Sequence, residues 1–173
     1  MLRDVYIGLG SNTGDRRSAL QRALAALALR LAAPIRPSRP FETEPRLDLD
    51  QPTFLNMAAH LRTDLGPRAL LDILLDVEAH LGRLRDADRP KGPRHIDLDL
   101  LLVGDLVLDE PGLHLPHPGL PLRRFVLAPM ADIAPDALVP GLDLTITALL
   151  ERCPDLGWVR PLPHLPSLDP RSS

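Results

Sequence analysis

The sequence predicts an α+β sandwich, and three observations predict it. Apolar stretches of strand length, some alternating with polar residues, recur at 4–10, 35–43, 54–62 and 95–103. Leucines at helical spacing occupy the intervals 15–32 and 67–81. The order that results is strand, helix, strand, strand, helix, strand, with strands close enough in sequence to build one layer and helices to cover it.

Asp4 to Gly10 reads as the first strand, and Ser11-Asn12-Thr13-Gly14-Asp15 as a turn that supplies a helix cap. The helix then runs from about Asp15 to Ala32, with Leu20, Leu24, Leu27 and Leu31 on one face. Gly8-x-Gly10 followed by Gly14 is close to a dinucleotide fingerprint, but the third glycine is one place late. No strand ending in an acid follows at ~20 residues either, so the glycines read as a turn. A Gly-x-x-x-x-Gly-Lys-Ser/Thr cradle is absent from the sequence, and any nucleotide must be held by other means.

Pro37 and Pro40 put the 35–43 strand on a sheet edge, since proline cannot donate to a ladder. After a polar loop, Phe54 to Arg62 alternates, with Phe54, Asn56 and Ala58 on one face and Leu55, Met57, Ala59 and Leu61 on the other. Asn56 beside Phe54 is either a satisfied polar residue or the floor of a heterocycle pocket. Pro67 after Gly66 opens the second helix, whose stripe is Leu70, Leu74, Val77 and Leu81 and whose end is marked by Gly82. These elements in this order suggest a ferredoxin-like βαββαβ sandwich with both helices on one sheet face, leaving the opposite face for a site.

The last strand is the most informative. In His95-Ile96-Asp97-Leu98-Asp99-Leu100-Leu101-Leu102-Val103, alternation puts His95, Asp97, Asp99, Leu101 and Val103 on one face and Ile96, Leu98, Leu100 and Leu102 on the other. The two carboxylates stand roughly 7 Å apart, near enough to share a magnesium ion. Two buried unpaired anions would be very costly, so either the strand end reaches solvent or cations face it. Arg83, Arg85, Arg89, Lys91 and Arg94 crowd in before the strand, and His117, Arg123 and Arg124 follow. Hard-metal carboxylates beside arginines are the parts needed to handle a polyphosphate. Arg85, Arg89, Lys91 and Arg124 read equally well as ordinary surface charges.

Beyond this strand, Gly104 to Leu108 forms a turn and short return strand, and short helices are expected up to Asp132 and around Thr145 to Arg152. Residues 1–153 make one domain, and 154–173 a proline-rich C-terminal extension expected to be extended and partly mobile.

Composition narrows the class. At 173 residues with 45% hydrophobic and only 3% aromatic content, the chain supports one core packed from branched aliphatics. The net charge of -3 argues against binding nucleic acid through bulk electrostatics. A single cysteine permits no internal disulfide, and no signal or membrane-spanning stretch occurs. The expectation is a cytoplasmic monomer with neither nucleic-acid nor membrane partners.

Taken together, Gly92-Pro93-Arg94-His95-Ile96-Asp97-Leu98-Asp99, Gly8-x-Gly10-Ser11-Asn12, Asp50-Gln51-Pro52-x-Phe54-Leu55-Asn56, Glu78 with Gly82-Arg83, and Pro116-His117 with Arg123 and Phe125 resemble the 6-hydroxymethyl-7,8-dihydropterin pyrophosphokinases of folate biosynthesis. The resemblance runs from Tyr6 to about Pro140. It implies a ferredoxin-like fold, two Mg2+ ions, and transfer of pyrophosphate from ATP to 6-hydroxymethyl-7,8-dihydropterin with release of AMP.

It also implies roles. Asp97 and Asp99 would ligate both ions. Glu78, Arg83, Arg94, His117 and Arg123 would bind ATP, with Arg83 and Arg94 acting catalytically beside the two acids. Thr43, Phe54, Asn56 and Phe125 would line the pterin pocket, Asn56 by pairing with the ring edge and Phe125 by stacking. The chain departs from the family pattern at Glu44, Phe54, Lys91 and Pro118 and in a longer loop containing Pro90. Two other readings use the same residues: another magnesium-dependent nucleotidyltransferase or phosphohydrolase, and a non-catalytic ligand-binding module whose acids merely end a strand.

Overall fold

The computed structural model describes residues 1–45, 49–82 and 95–166. In chain order the elements are β1 (Arg3–Ser11), α1 (Arg16–Leu31), β2 (Arg36–Pro37), β3 (Phe41–Thr43), β4 (Phe54–Thr63), α2 (Pro67–His80) and β5 (Asp97–Val103). There follow β6 (Leu108–Glu110), β7 (Leu113–Leu115), a 3-10 turn (Leu120–Leu122), α3 (Arg124–Ile133), β8 (Leu138–Val139), β9 (Leu144–Thr145), α4 (Ile146–Glu151) and β10 (Val159–Pro161). Among the described residues the main sheet has six strands, all antiparallel, in the order β10-β3-β4-β1-β5 with β2 also paired to β4.

Local signals start and stop the helices as expected. The Asp15 carboxylate caps α1 by accepting from Ser18 N at 3.0 Å. Pro67 occupies the start of α2, where a missing N–H costs nothing, and Gly82 follows with φ +80. Leu20, Ala23, Leu27 and Leu31 of α1 and Leu70, Leu74 and Val77 of α2 pack on Val5, Ile7, Leu9, Leu55, Met57, Leu61, Leu98 and Leu100. Truncating a side chain as buried as Leu27 to alanine costs roughly 2–5 kcal/mol.

The opposite sheet face is not left open along its whole length. Leu127 and Met130 of α3 and Ile146 and Leu149 of α4 form a second core on Ala58, Leu101 and Leu102. The helices therefore cover both faces. The end of the second face that carries Gly8, Gly10 and Asn56 lines a cleft.

Three further expectations change. The 35–43 stretch is two short strands, because Pro37 and Pro40 cannot donate and Ser38 bonds across instead, its N–H to Ala58 O at 2.8 Å. β3 is not an edge, because β10 pairs with its free side. Strict alternation in β5 fails at Leu101: Tyr6 pairs with Leu102 and Ile7 with Leu100, so Leu101 is an extra residue. Leu101 and Leu102 then both join the second core, and Val103 moves to the first.

The segment 155–166 is bound to the body. Leu162 N donates to Pro40 O at 2.9 Å, Gln21 Nε2 donates to Pro166 O at 2.9 Å, and Arg160 pairs with Glu42. Leu162 and Leu165 pack against the first core. Its prolines forbid a helix but not an edge strand. The β6–β7 hairpin had no counterpart in the sequence reading beyond the return strand near Leu108.

Candidate active site

A cleft of about 590 Å³ opens over β1, β4 and β5, bounded by the first turn of α3 and by α2. Its floor is set by register. Gly10 pairs with Asn56 on one side and Asp97 on the other, and Gly8 pairs with Ala58 and Asp99. The first strand carries both glycines, as the sequence predicts, and β1 runs one residue further to Ser11, so no β1 side chain stands between the Asn56 amide and the Asp97 carboxylate. A Cβ on Gly10 would lie 2.7 Å from Asn56 Oδ1, so only glycine lets the carboxamide lie over the strand.

Asn56 is buried, and its Nδ2 donates to Thr43 Oγ1 at 2.8 Å, which fixes the plane of the amide. Thr43, Phe54, Asn56 and Phe125 all line the cleft, giving one end two aromatic rings and a held amide. The other end holds Asp97, Asp99, His117 and Arg123. Neighbouring strands are ~4.8 Å apart, so Asn56 and Asp97, with Gly10 between them, are separated by roughly 10 Å across the floor.

The bulge in β5 has a part in this. The carbonyl of Leu101 accepts from His117 N at 2.9 Å, which brings His117 to the acid strand. His117 Nδ1 accepts from Gly119 N at 3.0 Å, leaving Nε2 to carry the ring proton and face Asp99 Oδ1 at 3.7 Å. Arg123 leads into α3 with its guanidinium 5.8 Å above the Phe125 ring, so a cationic group and an aromatic face are presented by one turn.

Glu78 lines the cleft from α2 but is 3% exposed, and its Oε1 accepts from Leu98 N at 2.7 Å. Leu98 lies between the two acids, so this bond pins the outer edge of β5 where Asp97 and Asp99 project. Arg124 is turned to Asp155, with Nε donating to the Asp155 carbonyl at 3.0 Å. Arg83 and Arg94, together with Arg85, Arg89 and Lys91, lie outside the described residues.

The sequence reading did not single out Gln51, Leu71, Leu75 or Asp155, which also line the cleft. Gln51 had a signal in its motif: Asn12 Nδ2 donates to Gln51 Oε1 at 2.6 Å and to Pro52 O at 3.2 Å, so two distant motif pieces tie one loop to the end of β1. Asp155 had none, because its place depends on β10.

Among the described residues no group of three or more His, Cys, Asp or Glu side chains forms a closed metal cage. The chemistry of the Asp97/Asp99 pair nonetheless fits magnesium. That ion takes oxygen ligands, commonly one or two carboxylates, and fills its remaining positions with water and substrate phosphates.

Comparison with known proteins shows the family. The profile of the family described as 7,8-dihydro-6-hydroxymethylpterin-pyrophosphokinase (HPPK) matches residues 6–135, a span containing every described candidate residue named above except Asp155. The 2-amino-4-hydroxy-6-hydroxymethyldihydropteridine pyrophosphokinase of Pseudomonas aeruginosa is 42% identical over 164 residues, covering 92% of this chain and 98% of that protein. The enzyme of the same name from Methylorubrum extorquens is 42% identical over 140 residues, covering 79% and 85%. The crystal structure of Plasmodium falciparum wild-type HPPK-DHPS superposes with a TM-score of 0.67 at 14% identity, over 88% of this chain and 45% of that one, and so shares the fold. The chain belongs to the 7,8-dihydro-6-hydroxymethylpterin pyrophosphokinase family.

Proposed function

We propose that the cleft carries out the family's reaction with the pterin ring at the Asn56 end and the ATP triphosphate at the Asp97 end. The chain is an ATP-dependent pyrophosphokinase of folate biosynthesis. In the transfer, the hydroxymethyl oxygen of 6-hydroxymethyl-7,8-dihydropterin loses its proton to solvent and bonds to the β-phosphorus of ATP, the bond between the α,β-bridging oxygen and the β-phosphorus breaks, and AMP leaves. The observation that carries this placement is the register Asn56, Gly10, Asp97 on one sheet face. It sets a ring-recognising amide and a phosphate-handling carboxylate side by side with nothing but backbone between them.

Asn56, held by Thr43, pairs with the donor and acceptor edge of the ring, while Phe54 and Phe125 flank its faces. Asp97 and Asp99 would hold two Mg2+ ions, which would supply neutralisation of the phosphate charge. His117 offers its Nε2 proton and Arg123 its guanidinium to the phosphates, joined by Arg83 and Arg94. Glu78 acts on this end by holding Leu98, and so the spacing of the acids. Phosphoryl-type transfer needs positioning and charge neutralisation more than covalent help, and these residues supply both.

The strand order β3-β4-β1-β5, with α1 and α2 as the crossovers, supports the ferredoxin-like reading of the domain. Among the described residues no helix is long and apolar enough to cross a membrane.

Incubating the chain with ATP, Mg2+ and 6-hydroxymethyl-7,8-dihydropterin should give AMP and the pterin diphosphate in equal amounts, read by phosphorus NMR. ADP would mean attack at the γ-phosphorus. Pyrophosphate release would indicate nucleotidyl transfer, and pterin-independent turnover a hydrolase. Any of the three refutes the placement.

A further inference from the structure

α3 starts at the cleft without a cap of its own. Arg123 occupies the N-cap position and makes no side-chain bond to the helix, so the first-turn N–H groups need an acceptor from elsewhere. Arg124 N donates to Asp155 Oδ2 at 3.1 Å, and Arg124 Nε donates to the Asp155 carbonyl at 3.0 Å. The other carboxylate oxygen, Oδ1, accepts from Gly157 N at 2.8 Å and closes a turn. That turn is fastened to the sheet from its far side. Trp158 N donates to Glu44 Oε1 at 3.1 Å, and Val159 opens the pairing of β10 with β3 opposite Thr43. Asp155 itself lines the cleft.

We infer that Asp155 is the remote N-cap of α3 and a positioning residue of the transfer reaction, holding Arg123 and Phe125 where they meet the two substrates. The inference rests on the roles of Arg123 and Phe125 given above. Arg124, whose backbone and side chain are both bound to residue 155, stands between these two, so its position sets theirs. A carboxylate suits this position because it accepts from two backbone N–H groups at once, and its charge complements the positive end of the helix dipole. Asp155 lies 31 residues beyond Arg124 and outside the 6–135 span of the family match. The C-terminal segment thereby becomes part of the working site, with β10 as the strap that keeps the cap in place.

The test uses the full chain with Asp155→Ala and Asp155→Asn, and begins with the native protein. Failure of the native chain to make the pterin diphosphate would overturn the reaction itself. With an active native chain, three measurements address Asp155 alone: amide exchange at residues 124–127 without ligand, kcat and KM for each substrate, and a double-mutant cycle with Phe125→Ala. Displacing catalytic groups by about 1 Å costs on the order of 10²-fold, so Asp155→Ala should lower kcat/KM by about that factor and speed exchange at the start of α3. Asp155→Asn keeps one acceptor oxygen of the two and loses the charge, so it should recover part of the loss. In the Phe125→Ala background the effect of Asp155→Ala should fall to the part that acts through Arg123, because residues that act as one unit are not additive. An additive cycle, or unchanged exchange in Asp155→Ala, would overturn the positioning role while leaving the reaction intact.

Discussion

Alanine at position 10 is a one-methyl probe of the cleft floor. The added Cβ would sit 2.7 Å from Asn56 Oδ1, whereas ordinary contact begins at 3.4 Å, so the carboxamide must retreat by about 0.7 Å. Asn56 has nowhere to yield cheaply: it is 8% exposed and bonded to Thr43 at 2.8 Å. Losing that bond costs about 0.5–1.5 kcal/mol, and small-to-large strain adds roughly 1–3 kcal/mol to the folded state. The pterin meets a displaced amide. One or two misplaced hydrogen bonds are worth about 0.5–3 kcal/mol of binding, up to roughly 100-fold, since each 1.4 kcal/mol is tenfold.

ATP binding should change little, because the methyl added by Gly10→Ala points toward Asn56 and Asp97 is anchored from the other edge through Glu78 and Leu98. The assay is isothermal titration of Gly10→Ala with the pterin in the presence of a non-hydrolysable ATP analogue and Mg2+, alongside titration of the analogue alone. Native pterin affinity in a folded Gly10→Ala protein would refute the placement of the ring at Asn56. A parallel loss of both affinities would show that the two ends of the cleft are not separate.

Three more outcomes are expected. Glu78→Ala leaves the buried Leu98 N–H without its 2.7 Å acceptor and should destabilise the chain by about 1–3 kcal/mol while lowering turnover; Glu78→Gln, which keeps an oxygen, should melt near the native temperature, and calorimetry with a turnover assay checks both. Gly119→Ala would place a Cβ 3.1 Å from Arg123 Nε and push the guanidinium aside, raising KM for ATP by about 10-fold with pterin affinity preserved; an unchanged KM for ATP counts against a triphosphate role for Arg123. Burial raises the Asp132 carboxyl pKa, but hydrogen bonds from the Arg39 backbone and side chain outweigh it and hold the group below its unperturbed 3.8. A depressed carboxyl contributes stability above its unfolded pKa and loses it as pH falls through the folded one. Asp132→Asn should therefore cost about 1 kcal/mol near pH 7, the partner being partly exposed, and the gap to native should close below pH 3.8 in urea titrations.

What the sequence determined by itself was whatever depends on near neighbours in the chain. The Asp15 cap, the Pro67 start and the Gly82 stop are each written within a few residues, and the leucine stripes of α1 and α2 need only helical periodicity. The Asp97/Asp99 pair is likewise local, because residues two apart on a regular strand share a face whatever the strand packs against. Tertiary structure decided the rest. Leu101 bulges because β5 must fit β1 and meet the His117 segment, and that shifts Val103 to the other core against simple alternation.

Gly8 and Gly10 are legible as part of the first strand, but they form a floor only because β4 and β5 flank β1 in this register. Glu78 reaches the acid strand through packing of α2 across the β5 edge. Asp155 is the furthest case, since a proline-rich stretch with few apolar anchors carries no local sign of where it will lie. Its position follows from the open edge of β3, whose unpaired N–H and C=O groups are satisfied when β10 pairs with them.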